Sequence, residues 1–293
     1  MAQQPERGLV TVATWNLWWH FGDWQNRFER IRAVLAEVRP DVVGLQEVWA
    51  TADENAVEVL AEAMGLEWTW AASPCPDPWR LRLGADPDEP NIGNAILSRW
   101  PIAWSKAVDL PSGASGDRGR TALATMIDAP GGRLPFITTQ LASPPAESAT
   151  RVDQVVRLAH LVRDCALATH PPAAYPPVVT GDFNAVAQSD EMRLLEGHLT
   201  APAVPGQVLV DVWRYAPAGD PGHTWDRENP NVEVTGEPSA RIDYILVGLP
   251  TRQAGWRVVE VGRFGTAPAA GTWPSDHAGV YTRLAAHRQP FRA

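Results

Sequence analysis

An α/β fold in a single domain, residues 1–293, is what the sequence predicts, and three observations predict it. Short apolar runs of strand character recur from Leu9 to Leu284. Between them lie helical patterns at 26–38, 55–64 and 147–167. No stretch reads as an interdomain linker and there is no internal repeat, so a length that suits one large α/β domain or two small ones is assigned to one.

In chain order, Leu9-Val10-Thr11-Val12-Ala13-Thr14 alternates as a strand does and runs into Trp15-Asn16. The pattern at 26–38 sets Phe28, Ile31, Val34, Leu35 and Val38 on one helix face and stops at Pro40-Asp41. Val42-Val43-Gly44-Leu45-Gln46 is then a buried strand that delivers Glu47. A helix at 55–64 closes on Gly65, and 66–71 is a strand. Residues 73–91, rich in Pro, Asp and Gly, read as a long loop of the kind that shapes binding sites. A strand follows at 93–98, another restarts at Pro101-Ile102, and 120–127 and 133–141 pair around Pro130-Gly131-Gly132. The longest helical pattern, 147–167, carries Val155, Leu158, Ala159 and Val162 at core spacing, and its His160 reads as a packed or exposed side chain. A Pro-rich connection at 170–177 leads into the strand that ends at Gly181-Asp182-Phe183-Asn184. Beyond it come a short helix at 189–195, a polar loop at 216–239 and a strand at 241–247 with Asp243 near its start. Strands at 257–261 and 281–284 flank Ser275-Asp276-His277.

Composition excludes several classes. Hydrophobic residues make up 45% and charged ones 20%, as in ordinary globular proteins. No run approaches the roughly 18 apolar residues of a membrane span. The first residues carry no apolar signal core, so a cytoplasmic location is expected. Cys75 and Cys165 match neither a disulfide framework nor zinc-ligand spacing. A net charge of -9, with Lys106 as the only lysine, counts against a tight nucleic-acid binder without excluding a metal-dependent nuclease. The 14 tryptophans include several in predicted loops, where they can wall a cleft.

Polar residues stand where apolar strands end: Asn16, Glu47, Asp182, Asn184, Asp243, Asp276 and His277. Taken singly, each has a plain structural reading as a turn, a cap or an ion pair. Asp182 and Asn184, two apart on extended chain, face one side while Phe183 faces the other. Together the set suggests one pocket at a sheet edge. Its carboxylate and amide oxygens suit a hard cation such as magnesium or manganese rather than zinc. The remaining groups supply a water activator, donors to phosphoryl oxygens and charge neutralisation.

Trp15-Asn16, Leu45-Gln46-Glu47, Gly93-Asn94-Ala95-Ile96-Leu97-Ser98, Gly181-Asp182-Phe183-Asn184, Arg241-Ile242-Asp243-Tyr244 and Ser275-Asp276-His277 resemble, in order and over nearly the whole chain, the endonuclease/exonuclease/phosphatase superfamily. The resemblance implies a four-layer α/β/β/α sandwich of two mainly antiparallel sheets with outer helices. It implies a metal-dependent phosphoric ester hydrolase with Glu47 as principal ligand to Mg2+ or Mn2+ and Asn16 and Asp276 near the ion. It further implies that Asp182 activates the attacking water, that Asn184 holds a phosphate oxygen, and that His277, oriented by Asp243, stabilises transition-state charge. Asn94, Arg120, Asn184 and His277 are the substrate-binding candidates; the plainer reading of Arg120 is a surface arginine at a strand start. The sequence departs from the family at Thr139-Gln140-Leu141, where similar members carry His for Gln140. Gln140 can donate a hydrogen bond to phosphate but cannot transfer a proton. A natural substitution, a disabling change and a weakly catalytic phosphate-ligand binder are all compatible with it. The expected substrate is a small-molecule or lipid-type phosphodiester or monoester, the runner-up is DNA or RNA, and a monomer is expected.

Overall fold

The computed structural model describes residues 8–83, 90–113, 117–168, 175–250 and 255–287. The N-terminal residues 1–7, the part 84–89 of the first predicted loop and the part 170–174 of the Pro-rich connection lie outside them. Two six-stranded sheets carry the fold. The first runs β11 (Gly255–Phe264), β12 (Gly279–His287), β1 (Leu9–Asn16), β2 (Val42–Ala50), β4 (Asn91–Ser98) and β3 (Glu67–Ala72) from edge to edge. The second runs β5 (Ile102–Asp109), β6 (Thr121–Ala129), β7 (Gly132–Gln140), β8 (Val178–Asp182), β10 (Asp243–Gly248) and β9 (Leu209–Asp211). The β1–β2 and β7–β8 pairs are parallel and the others antiparallel, as expected of two mainly antiparallel sheets.

Three apolar clusters account for four layers. Val12, Val42, Ile96, Leu123, Phe136 and Ile245 fill the space between the sheets. The outer face of the first sheet is covered by α1 (Trp24–Val38) and α2 (Ala56–Met64), with Ile31, Leu35, Val57 and Leu60 on Leu45 and Leu97. The outer face of the second is covered by α4 (Ser148–Leu167) and α5 (Asp190–Glu196), with Val155, Leu158 and Met192 on Phe183 and Tyr244. Local chemistry agrees with these helices. Asn55 and Ser189 cap α2 and α5 by accepting from Val57 N–H and Met192 N–H, and Gly65 and Gly197 end them in the left-handed conformation.

Two corrections fall in the predicted loops. The stretch 73–91 contains a helix, α3 (Asp77–Leu83), whose Trp79 is buried in the core of the first sheet. The stretch 216–239 contains one helical turn, α6 (Pro230–Glu233), capped by Asn229.

Gly44 sets how closely the sheets approach. A Cβ there would lie 2.3 Å from Thr180 Oγ1 and 2.5 Å from Thr138 Oγ1. Two residues on, Gln46 donates from Nε2 to Thr14 Oγ1 within its own sheet at 3.1 Å and to Thr138 Oγ1 of the second sheet at 2.8 Å, so this contact also carries a hydrogen bond between the sheets. Gly44→Ala is expected to cost about 1–3 kcal/mol by overpacking, measured as a lower urea midpoint with unchanged m.

The segment after β1 is aromatic and tightly packed. His20 stacks on Trp24 with ring centroids 3.9 Å apart, and its Nε2 is buried with no partner among the described residues. Burial, and secondarily the Arg27 charge, lower its pKa from the usual 6.5 to about 4. The folded state therefore favours neutral His20. The stability this contributes is fully present above pH 6.5 and is lost as pH falls towards 4. The drop in Tm between pH 7 and pH 4.5 is expected to be a few degrees smaller in His20→Phe than in the unaltered chain.

Candidate active site

The strand register assembles the site. In the second sheet Gln140 lies opposite Asp182, and Asp182 opposite Asp243, so β7, β8 and β10 end in a row of three polar side chains. In the first sheet Asn16 lies opposite Gln46, one residue from Glu47. Simple alternation would turn Glu47 to the same side as Leu45, into the helix-facing core. The register of β2 instead shifts between Leu45 and Val48, and Glu47 takes a positive φ of 51°. This bulge re-aims its carboxylate to the sheet edge, a common use of bulges beside active sites.

Glu47, Asp182, Asn16 and Gln140 form one hydrogen-bonded cluster. Asn16 donates from Nδ2 to Glu47 Oε1 at 3.1 Å and to Asp182 Oδ2 at 3.0 Å. Gln140 donates from Nε2 to the same two oxygens, at 2.6 and 3.2 Å. Two neutral amides thus tie together two buried carboxylates that would otherwise repel. Asn184, at a positive φ of 49°, donates its backbone N–H to Asp182 Oδ1 at 3.0 Å. Its side-chain amide donates to Leu141 O at 3.1 Å and to Asp182 Oδ2 at 3.3 Å. In this geometry Asn184 fixes Asp182, and to hold a phosphate oxygen it must exchange one of those bonds.

His277 stands between two carboxylates. Its Nδ1 lies 2.9 Å from Asp243 Oδ2, a hydrogen bond, while Nε2 lies 3.9 Å from Asp182 Oδ2, beyond hydrogen-bond reach. Burial alone would depress this imidazole. The carboxylates of Asp243, Asp182 and Asp276 more than reverse that and hold it well above its ordinary value, which favours the imidazolium. Asp182 is raised by burial and by Asp243, against His277 and the bonds from Asn184 and Asn16. Asp276 is raised to about 7 by burial and Glu47, against His277 and Arg27.

The donor set fits a hard divalent cation. Glu47, Asp182, Asp243 and Asp276 are four buried carboxylates facing only His277 and Arg27 among the described residues, and the crowding that raises Asp182 and Asp276 is what a cation would relieve. Both amide donors use Oε1 of Glu47. The oxygens of Glu47, Asp276 and Asn16 are the hard ligands such a cation takes. Asp182, Asp243 and His277 also bring possible ligand atoms within 4.8 Å of one another. There the imidazole is already bonded to Asp243, which suits a proton relay better than coordination.

Several residues that hold this geometry were not legible as site residues. Arg27, in the first turn of α1, is buried and donates to five carbonyls, those of Leu17, Trp18, Trp19, Phe21 and Pro274. It thereby joins the turn after Asn16 to the segment bearing Asp276 and His277. Ser275 Oγ completes that junction by donating to Asn16 O at 2.7 Å. Thr224 Oγ1 accepts from Asp243 N–H at 3.2 Å and Thr224 O accepts from Ala278 N–H at 2.8 Å, while Asn229 Nδ2 donates to Ser275 O at 2.8 Å. The Trp225 ring lies 5.0 Å from that of His277. The second polar loop therefore walls the site.

Asn94 and Arg120 lie apart from the carboxylate cluster, in a depression that Gln140, Trp79 and Thr121 also line. Asn94 donates to Thr121 O at 2.8 Å. Arg120 is not a surface arginine: it is 4% exposed, bonded to both oxygens of Asp117, and 4.9 Å from the Trp79 ring centroid. Its Nη1 is buried with no hydrogen-bond partner among the described residues.

The endonuclease/exonuclease/phosphatase family model matches residues 13–277. A search of curated protein sequences found no match. Similar solved structures include the human Nocturnin catalytic domain with bound sulfate anion, at TM-score 0.71 and 16% identity, covering 95% of each chain. Another is D. rerio TDP2 complexed with a single-strand DNA product, at TM-score 0.70 and 21% identity, covering 94% of this chain and 98% of that one. An endonuclease/exonuclease/phosphatase from Beutenbergia cavernae DSM 12333 matches at TM-score 0.67 and 23% identity, covering 95% and 72%. At these identities the likeness establishes the fold.

Proposed function

Because this chain belongs to the endonuclease/exonuclease/phosphatase family of phosphoric ester hydrolases, we propose that its Glu47–Asp182–His277 site cleaves a phosphate ester by in-line attack of water with Mg2+ or Mn2+. The observation that carries this reading is the cluster of four buried carboxylates beside an imidazole held by Asp243. Glu47, Asn16 and Asp276 would hold the cation, which when bound supplies charge neutralisation at the phosphoryl and leaving oxygens. Asp182, fixed by Asn184, Asn16 and Gln140, accepts the proton of the attacking water; its raised pKa makes it a stronger base than an exposed carboxylate. His277 presents a charged N–H to the developing negative charge, and Asp243 fixes its orientation. Arg120 Nη1 offers a donor to the rest of the substrate, whereas both amide hydrogens of Asn94 are taken by Thr121.

Gln140 bridges the two carboxylates on which this reading rests, which favours a working part over a disabled one. Gln140→Leu is expected to lower kcat/KM about 10–100-fold, the effect of losing an orienting partner of a metal ligand. Gln140→His, a charged donor at the same place, is expected to match or exceed the unaltered chain. A Leu variant as active as the unaltered chain would remove Gln140 from the mechanism.

The acidic chain with one lysine favours a small or lipid-type phosphodiester or monoester as substrate. The second reading, a nuclease, is favoured by the similarity to the TDP2 structure with its single-strand DNA product. Plasmid nicking and oligonucleotide shortening, run beside bis-aryl and monoaryl phosphates, separate the two. Rates on DNA that exceed those on the aryl esters would replace the first reading with the second.

A further inference from the structure

We propose that Arg27 is a positioning residue for the metal site, which presets the spacing of Asn16, Glu47 and Asp276 before a cation arrives. The inference rests on the ligand assignment of the phosphoesterase reading and names the side chain that fixes those ligands relative to one another.

The turn after β1 is strained. Trp18 and Trp19 take consecutive positive φ angles of 59° and 36°, a region that bulky residues leave unless their surroundings impose it. Among the described residues six non-glycine positions have positive φ, and four of them, Trp18, Trp19, Glu47 and Asn184, lie at this site. The strained turn directs two backbone N–H groups at the ligands. Trp18 N–H donates to Asn16 Oδ1 at 2.9 Å, which leaves Asn16 Nδ2 for Glu47 and Asp182 and so decides which way the amide faces. Trp19 N–H donates to Glu47 O at 3.1 Å, at the residue where β2 bulges.

Arg27 holds that turn from one side. All five of its N–H groups are spent on carbonyls at 2.9–3.0 Å: Nε on Phe21 O, Nη1 on Leu17 O and Pro274 O, and Nη2 on Trp18 O and Trp19 O. The carbonyls of the two strained residues and of the residue before them are thus fixed by one rigid plane, which also lies 4.6 Å from the Trp18 ring centroid. The bond to Pro274 O ties the same plane to the chain two residues before Asp276. One side chain therefore reaches the segments that carry or contact all three ligands. Burial lowers its pKa only to about 10, against the opposing charges of Asp276 and Glu47, so it stays a cation at neutral pH. Such a charge repels an incoming metal ion. Charge and position therefore predict opposite effects on metal affinity when Arg27 is removed.

The test reads metal affinity, which requires no catalysis. The unaltered chain, Arg27→Gln and Arg27→Lys are titrated calorimetrically with Mg2+ and with Ca2+. Both variants are expected to bind Mg2+ about 10–100-fold more weakly, as when a metal ligand loses its orienting partner. The lysine keeps the charge but at most three of the five donors. The loss is expected to be smaller for Ca2+, which accepts irregular ligand geometry where Mg2+ does not. Unchanged or tighter Mg2+ binding in Arg27→Gln would make the residue a nearby charge only, and equal losses for both ions would make it general packing; either overturns the proposal. Should the variants fail to fold, amide hydrogen exchange of the unaltered chain decides. Trp18 and Trp19 N–H are expected to be equally protected in EDTA and in Mg2+, because Arg27 holds the turn without the cation. Protection that appears only with Mg2+ would mean that the cation orders the turn, and overturns it. Glu47→Gln separates this inference from the reading beneath it. If that variant leaves Mg2+ affinity unchanged, the ligand assignment falls and this inference with it. If it weakens Mg2+ and Arg27→Gln does not, only this inference falls. Affinity lost in both, with no ester cleaved, keeps the positioning role while the phosphoesterase reading fails.

Discussion

Asp182→Asn is expected to lower kcat/KM about 10³–10⁴-fold on any ester the protein cleaves, the range for loss of a positioned general base. The substitution keeps size and shape, and its one amide oxygen can still accept the bonds that Asn16 and Gln140 direct at Oδ2, while the NH2 that replaces Oδ1 no longer accepts from Asn184 N–H. It also relieves the burial of a carboxylate whose pKa is already raised by its surroundings, which offsets that lost bond, so Tm is expected to change little. The two readouts move independently. A large loss of rate at unchanged Tm assigns Asp182 to the chemistry, whereas a parallel loss of both would make its role structural. Retained activity in a folded variant would contradict the proposed base outright.

Glu47→Gln is expected to weaken Mg2+ and Mn2+ binding and to lower the rate at saturating metal by about 10³-fold, a few kcal/mol of transition-state charge stabilisation. Glu47 lies on the bulged strand, and both of its amide donors use Oε1. Removing its charge also removes one of the carboxylates that push Asp276 up to about 7. Metal affinity measured calorimetrically on the folded variant separates this account from a packing defect. Unchanged metal affinity would move the cation away from Glu47, towards the Asp182, Asp243 and His277 group.

Much of this site was legible because strands end abruptly in the sequence. Val178 and Val179 are buried and the strand ends at Asp182, with Phe183 in the core as expected, while Asn184 reaches Asp182 through a left-handed turn rather than by the expected extended alternation. Asn16 and Asp243 follow the same logic at the ends of β1 and β10. The four-layer sandwich was legible through the order of the family motifs rather than through periodicity. What escaped depends on contacts distant in sequence. Arg27 occupies an ordinary polar position of an amphipathic helix, and nothing local says that it donates to five carbonyls. The bulge at Glu47 is invisible to an alternation pattern that simply continues through it. Thr224 and Asn229 lie in a polar stretch where every side chain looks solvated, yet both are buried against the segment bearing His277. The surface reading of Arg120 failed for the same reason: Asp117 and Trp79, which enclose it, come from irregular chain just before it and from a helix hidden in a Pro-rich stretch.

The central claim is that buried carboxylates, a divalent cation and the Asp243–His277 pair act together on a phosphate ester. The most direct measurement is the hydrolysis rate of a bis-aryl phosphate by the purified chain in Mg2+, in Mn2+ and after EDTA, with Asp182→Asn run alongside. The account predicts turnover with either metal, its loss in EDTA, its recovery when metal is restored, and none above background in the variant. Turnover that persists in EDTA, or that survives in Asp182→Asn, would contradict it.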